Sequence, residues 1–258
     1  MFTLYGCGSR EYTISFETGN DTSVVPITTR KSQSVRMPIP VHPTDHFVGW
    51  FEDEDFTKHV FRSTDVSSNT TLYAKWMTPS DFFYGQYFNR HNPVVAIEIK
   101  NYGTILVELF PEHAPNTVRN FIYLVEQGYY DGVPFHRVVE DFVIQAGDGE
   151  RRDCRIRGEF LANGIINPLP HVRGAISMAR VGGLNNSAST QFFIMHQTVQ
   201  HLNHNYAGFG IMTHGFDVLD AIATSDTGSG EVPLEAIVID TIRIDRKGIS
   251  YDPPICVN

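Results

Sequence analysis

Hydrophobic residues recur along this chain at two different periods, and the change from one to the other divides it. From Tyr12 to Trp76 short apolar runs (Tyr12, Ile14, Phe16, then Val24, Val25, Ile27) alternate with turn residues such as Gly19-Asn20-Asp21 and the stretch Pro38 to Pro43, which predicts a small sheet. Residues 77–92, MTPSDFFYGQYFNRHN, mix Pro, Ser, Gly and Asn with aromatics and read as a linker that packs against something. Beyond it, Val95 to Ile99 and Thr104 to Leu109 flank the turn Asn101-Tyr102-Gly103 as a hairpin, with Glu98 and Glu108 on the solvent positions of the alternation. The stretch from Pro115 to Gly128 shifts to helical spacing: Val118, Phe121, Ile122 and Val125 share a face, with proline in the first turn and glycine past the end. A second helix is expected at Asp217 to Ala223, on whose face Val218, Leu219 and Ile222 lie. Strand-like runs at Val138 to Gln145, Gly174 to Met178, Gln191 to Met195 and Ile237 to Ile244 complete a mainly β chain. A closed antiparallel barrel with helical caps accommodates that count.

Composition narrows the function classes. A length of 258 residues accommodates one large core and a smaller module, and 41% hydrophobic with 19% charged residues suits ordinary burial. The net charge of -9, with no Lys/Arg run interleaved with aromatics, makes nucleic acid an unsuitable partner. No uncharged apolar stretch approaches the ~20 residues of a transmembrane segment, and no charged start precedes an apolar secretory segment, so the chain as written carries no export device. Three cysteines, Cys7, Cys154 and Cys256, permit at most one bridge and leave the redox compartment open.

Two resemblances follow from particular blocks. Phe47-Val48-Gly49-Trp50-Phe51, Asp55-Phe56-Thr57 and Asn69-Thr70-Thr71-Leu72-Tyr73-Ala74-Lys75-Trp76 resemble one copy of the internalin B-repeat of bacterial surface proteins. That resemblance implies a β-grasp-like spacer or partner-binding module. In the second part, Phe135-His136-Arg137-Val138-Val139, Phe142-Val143-Ile144-Gln145-Ala146-Gly147-Asp148, Ile176-Ser177-Met178-Ala179-Arg180 and Gln191-Phe192-Phe193-Ile194 resemble the cyclophilin family in order, from about Val94 to Asp245. Gly158-Glu159-Phe160 with Ala162-Asn163-Gly164, and Asn186-Ser187-Ala188, are similar to the bacterial branch. The resemblance implies an eight-stranded barrel capped by two helices, and peptidyl-prolyl cis/trans isomerase activity that assists protein folding. The expected organisation is a tail at 1–11, the repeat-like module at 12–76, the linker at 77–92, the cyclophilin-like domain at 93–246 and a tail at 247–258.

The implied reaction constrains the site. Rotation about an X-Pro bond must surmount roughly 20 kcal/mol of lost amide resonance, while its end states differ by less than about 1 kcal/mol. No bond breaks, so no nucleophile, metal or cofactor is needed. A catalyst holds the proline ring and favours the twisted amide, whose nitrogen regains a lone pair. The resemblance assigns the cation to Arg137, whose forked guanidinium donates to the proline carbonyl and that nitrogen. It places Phe142, Val143, Phe193, Leu202 and Tyr206 in the proline pocket, although periodicity alone reads each as core. Gln145 and Gln191 are polar residues inside apolar runs, for which a substrate backbone is a partner. Ala179, Arg180 and Val181 form the expected rim for an extended peptide, and His136 and His201 complete the expected binding set.

Val143 stands where the family often has methionine, His201 where many members have tryptophan and Tyr206 where histidine is common, so cyclosporin binding is expected to be weak. The loop Gly149 to Arg155 replaces a longer glycine-rich segment. The expected partners are proline-containing peptides and unfolded proteins. The competing reading is a non-catalytic proline-peptide-binding or surface adhesion module on the same fold. His196, His201, His204 and His214 lie close in sequence but lack Cys or carboxylate ligands at a recurring spacing, so no metal site is expected. Leu4-Tyr5-Gly6-Cys7 resembles the end of a bacterial lipoprotein signal whose apolar part is missing, and reads more readily as an accidental tetrapeptide. The module points to the cell surface or secretion, and the missing leader to a cytoplasmic chain.

Overall fold

A computed structural model describes residues 11–31, 33, 35, 37–43, 45–60, 67–77, 84–149 and 154–257. Cys7, and with it the lipoprotein-like tetrapeptide, lies outside the described residues, as do positions 150–153 of the loop at 149–155. The chain divides into two compact units, residues 1–83 and 84–258.

The first unit holds strands β1 (Glu11–Glu17), β2 (Ile27–Arg30), β3 (His46–Phe51), β4 (His59–Val60) and β5 (Thr70–Met77), ordered β2-β1-β5-β3-β4. β1 and β5 run parallel while the other pairs are antiparallel, and no helix occurs among the described residues of this unit. The first unit is therefore a small β module built on a five-stranded mixed sheet whose two parallel strands lie side by side. The two sequence blocks pair directly: Trp50 lies opposite Ala74 and Phe47 opposite Trp76, with a register shift between Phe47 and Gly49. Ile14, Val35, Trp50, Val60, Leu72 and Ala74 form the core. Trp50 is buried and Trp76 half-buried, and both satisfy their N–H groups, Trp50 on the Pro38 carbonyl and Trp76 on the Thr18 carbonyl, each at 2.8 Å.

The second unit begins with a short 3-10 turn at Gly85–Tyr87 and carries β6 (Val94–Ile99), β7 (Gly103–Leu109), α1 (Pro115–Glu126), β8 (Phe135–Val139), β9 (Val143–Ala146), β10 (Arg155–Ile156), β11 (Ala175–Met178), β12 (Phe192–Met195), β13 (Gly208–His214), α2 (Phe216–Ala223), β14 (Ile239–Asp245) and β15 (Cys256–Val257). Eight strands form one antiparallel sheet ordered β14-β6-β7-β13-β11-β12-β9-β8. It curls but does not close as a strand ladder, unlike the expected barrel. Across the seam between β8 and β14 there is only a bridge, Pro134 with Val238, and backbone bonds such as Phe135 N–H to the Ile237 carbonyl at 2.8 Å. Pro134 has no N–H to extend the ladder. The run Val138 to Gln145 is two strands, because Asp141 takes a left-handed φ of 58° and turns β8 back onto β9.

The segment 84–92 is part of this unit, not a free linker. Tyr84 is 1% exposed, stacks on Phe110 and donates its hydroxyl to the Pro170 carbonyl. Glu108 is buried, against the solvent position expected from the alternation. Its carboxylate accepts from Asn89 N–H (3.2 Å) and Asn92 Nδ2 (2.8 Å), tying the segment to β7. Glu98 is half-buried and pairs with Arg243 at 3.5 Å. Of residues 247–258, expected as a tail, the described residues 247–257 are also held. Cys256 forms a disulfide with Cys154, β15 pairs with β10, and the Ile255 backbone exchanges two bonds with Asn116 at the start of α1. At that helix start the buried Glu159 carboxylate accepts from Asn116 N–H at 3.0 Å and Thr117 N–H at 2.7 Å, filling two of the orphan donors of a helix N-terminus. Among the described residues, no helix is long and apolar enough to cross a membrane.

Candidate active site

Strand β8 carries Arg137 and β9, antiparallel beside it, carries Gln145 opposite Arg137. β12 adds Phe193 opposite Gln145 on the other side of β9. Three neighbouring strands thus present a cation, an amide and a phenyl ring in one row. The segment after β11 adds Ala179 and Arg180, and the segment 200–206 adds Leu202 and Tyr206. Together with Phe142 and Val143 these residues enclose a cavity of about 150 Å3. That is smaller than the ~300–1,000 Å3 typical of sites for drug-sized ligands, and suits a single small ring.

The walls are apolar and fixed. Val143 is 1% exposed, Phe193 5% and Leu202 6%. The Phe193 ring stands edge-on to Tyr206 at 5.6 Å and stacks at 6.0 Å against His171 behind it. His171 is itself buried between Ser177 Oγ (3.1 Å from Nε2) and Asn203 Oδ1 (3.2 Å from Nδ1), and burial pushes its imidazole down to about 4. It is therefore neutral at pH 7, and the cavity has no charge behind Phe193.

Two cations border this cavity. The Arg137 guanidinium lies 5.7 Å over the Phe142 ring and its Nε donates to Glu231 Oε2 at 2.5 Å. The Arg180 guanidinium is held between Tyr206, 4.7 Å away, and Phe160, 5.3 Å away, while its Nε donates to the Asn205 carbonyl at 3.1 Å.

Four expected residues lie off the cavity wall. Gln191 accepts from Gln145 Nε2 at 2.9 Å and donates to Asp148 Oδ1 at 2.9 Å, so it orients Gln145 from behind. His136 is half-buried, and its titration is lowered chiefly by burial, with the Arg137 charge adding to that. Val181 is 60% exposed, and its N–H is already donated to Ser187 Oγ. His201 is exposed on a one-turn helix, Gln200–Leu202, clear of the cavity. Of the rim, Ala179 N–H is committed to the Gln191 carbonyl, which leaves Arg180 N–H without a partner among the described residues.

Glu231 and His171 belong to no motif block, and Asp148 and Phe160 fall in blocks that mark the family without announcing a part in the pocket, so none of the four is legible as a site residue from sequence. His196 is buried, accepting Asp141 N–H on Nδ1 and meeting Asp220 through Nε2. Among the described residues, no three His, Cys, Asp or Glu side chains gather as a metal site.

A curled antiparallel sheet thus carries a small apolar cavity walled by aromatic rings, with Arg137 and Arg180 on its border. The family described as cyclophilin type peptidyl-prolyl cis-trans isomerase matches residues 94–244, and the chain belongs to it. Residues 12–75 match the Listeria-Bacteroides repeat domain, a broader group than the internalin B-repeat. A peptidyl-prolyl cis-trans isomerase of Arabidopsis thaliana is 38% identical over 148 residues, covering 56% of this chain and 91% of that one. A Streptococcus pyogenes protein named for both phosphatase and isomerase activities is 34% identical over 188 residues, which are 60% of this chain but only 39% of its own length. A cyclophilin of Cryptosporidium parvum, solved in the presence of the dipeptide Ala-Pro, superposes with a TM-score of 0.54 at 29% identity, covering 59% of this chain and 98% of that one. The second unit is a peptidyl-prolyl cis-trans isomerase domain.

Proposed function

We infer that Arg137 is the catalytic cation and that the cavity beside it holds the proline ring of the substrate. The observation that carries this reading is the Arg137 guanidinium bordering a ring-sized apolar cavity, directly across the β8–β9 ladder from Gln145. Phe142, Val143, Phe193, Leu202 and Tyr206 exclude water from the ring. Arg137 donates to the proline carbonyl and, as conjugation breaks, to the nitrogen lone pair, so its bond strengthens in the twisted state. Gln145, oriented by Gln191, and the N–H of Arg180 hold the extended backbone. His136, Val181 and His201 flank the peptide beyond the proline.

The substrates are proline-containing segments of unfolded proteins. The first unit is a spacer or attachment module of bacterial surface type, in the narrower form an internalin B-like repeat. The Cys154–Cys256 disulfide supports an oxidising, extracytoplasmic setting. Because His201 supplies neither an indole N–H nor its ring face, cyclosporin binds weakly.

The test is Arg137→Ala, with rate by exchange NMR on a proline peptide and affinity by titration of the same peptide. A charge-assisted bond made mainly in the transition state is worth on the order of 2 to 4 kcal/mol, so the rate is expected to fall roughly thirty- to a thousandfold with little loss of binding. Arg137→Lys recovers little, since an ammonium lacks the fork. Wild-type binding without accelerated exchange would replace the catalyst with the binding-module reading.

A further inference from the structure

We propose that Glu231 is a positioning residue for catalysis, locking the Arg137 guanidinium with its two terminal nitrogens free for the substrate. This rests on the assignment of Arg137 above. The carboxylate meets Arg137 at Nε, 2.5 Å away, and the Phe142 ring lies under the guanidinium plane at 5.7 Å. Of the five N–H groups of an arginine, Nε carries one and the terminal nitrogens four. A partner on Nε therefore fixes the rotation of the fork without consuming the donors that meet the amide. A peptide has no need to displace Glu231, and a donor already aimed requires no reorganisation as the amide twists.

The loop that presents Glu231 is built to hold it. Between α2 and β14, Thr227 bridges Pro233, Gly228 N–H donates to the Val232 carbonyl at 2.8 Å, and Leu234 N–H donates to the Asp226 carbonyl at 2.9 Å. At its tip Gly230 and Glu231 take successive left-handed φ values of 75° and 63°. Glycine is at ease there, whereas glutamate is strained. Nor does the ion pair offset that strain by itself: the side chains of Arg137 and Glu231 are 35% and 47% exposed, and such a pair adds little to stability. Among the described residues the charged partner of Glu231 is Arg137, and the strain is accounted for by what the carboxylate does to that cation.

The backbone supplies a clean test. In the full chain, Glu231→Gly removes the carboxylate while relaxing the loop, so the melting temperature is expected to hold or rise. With the arginine fork free to wander, kcat is expected to fall about tenfold with KM within about twofold, since misplacement of a catalytic group weighs on the transition state. The Nε–Hε NMR signal of Arg137 should lose its protection from solvent exchange, and Glu231→Gln should fall between the two in rate. In an Arg137→Ala background, Glu231→Gly should add no further loss. Undiminished kcat in Glu231→Gly overturns the inference, and a raised kcat would show instead that the carboxylate competes with substrate. Full activity in Arg137→Ala would mean that the site assignment has failed; a dead Arg137→Ala beside a fully active Glu231→Gly defeats only the role of Glu231.

Discussion

Acid should loosen the second unit through His171. The imidazole is 1% exposed, lodged between Ser177 and Asn203 behind Phe193, and burial lowers it from 6.5 to about 4. A histidine whose folded value is depressed favours folding only while the unfolded chain is also uncharged there. As pH falls below 6.5 the unfolded state takes up the proton first, and stability declines until the folded site protonates near 4. Working from those two values, the loss is about 1 kcal/mol at pH 6, about 2 at pH 5 and about 3 at pH 4. The assay is urea unfolding of wild type and His171→Gln between pH 7 and pH 4.5. Both tryptophans, Trp50 and Trp76, lie in the first unit, so indole emission follows that unit while amide NMR signals of β11 and β12 follow the second. The second unit of wild type should lose about 2 kcal/mol more than that of the variant on going to pH 5. Parallel losses in wild type and variant would refute the burial argument.

Further outcomes follow from the same contacts. The Cys154–Cys256 bridge closes a loop of 102 residues, so Cys154→Ser with Cys256→Ser should cost about 4 to 5 kcal/mol in the chain-entropy account, read as a lowered urea midpoint of the second unit. Isomerase activity at 25 °C should survive that change, because neither cysteine is among the described residues that line the cavity; loss of activity in a folded double variant would disprove this. His201→Trp should raise cyclosporin affinity, measured by titration calorimetry, and equal affinity for both proteins would remove the stated reason for weak binding.

What was legible in the sequence was what local order carries. The helix at Pro115 showed itself by its apolar face and its proline and glycine ends, and the repeat module by blocks that pair with each other in β3 and β5. The pocket was legible only through family resemblance, for a physical reason. Val143 and Phe193 sit in apolar strand runs and are nearly as buried as true core residues, so alternation does not tell a wall from a core. Glu108 was misjudged because the alternation identifies the outer face of β7 but not the segment 84–92 that covers it. The bridged tail was invisible because pairing Cys154 with Cys256 depends on where Asn116 and β10 place the last residues, not on spacing.

The seam explains why the site needs a residue that no motif announces. Arg137 stands on β8, the end strand of the curled sheet, where only Pro134 and Val238 bridge toward β14. A strand inside the sheet has a neighbour on each side whose side chains pack against its own, as Gln145 has in Arg137 and Phe193. Arg137 has such a neighbour on one side only, and its second lateral contact must come from elsewhere. The loop entering β14 supplies it, 94 residues away in sequence, at a strained glutamate. An open edge leaves Arg137 accessible from one side and short of lateral support, and the Glu231 carboxylate reaches it through that same gap.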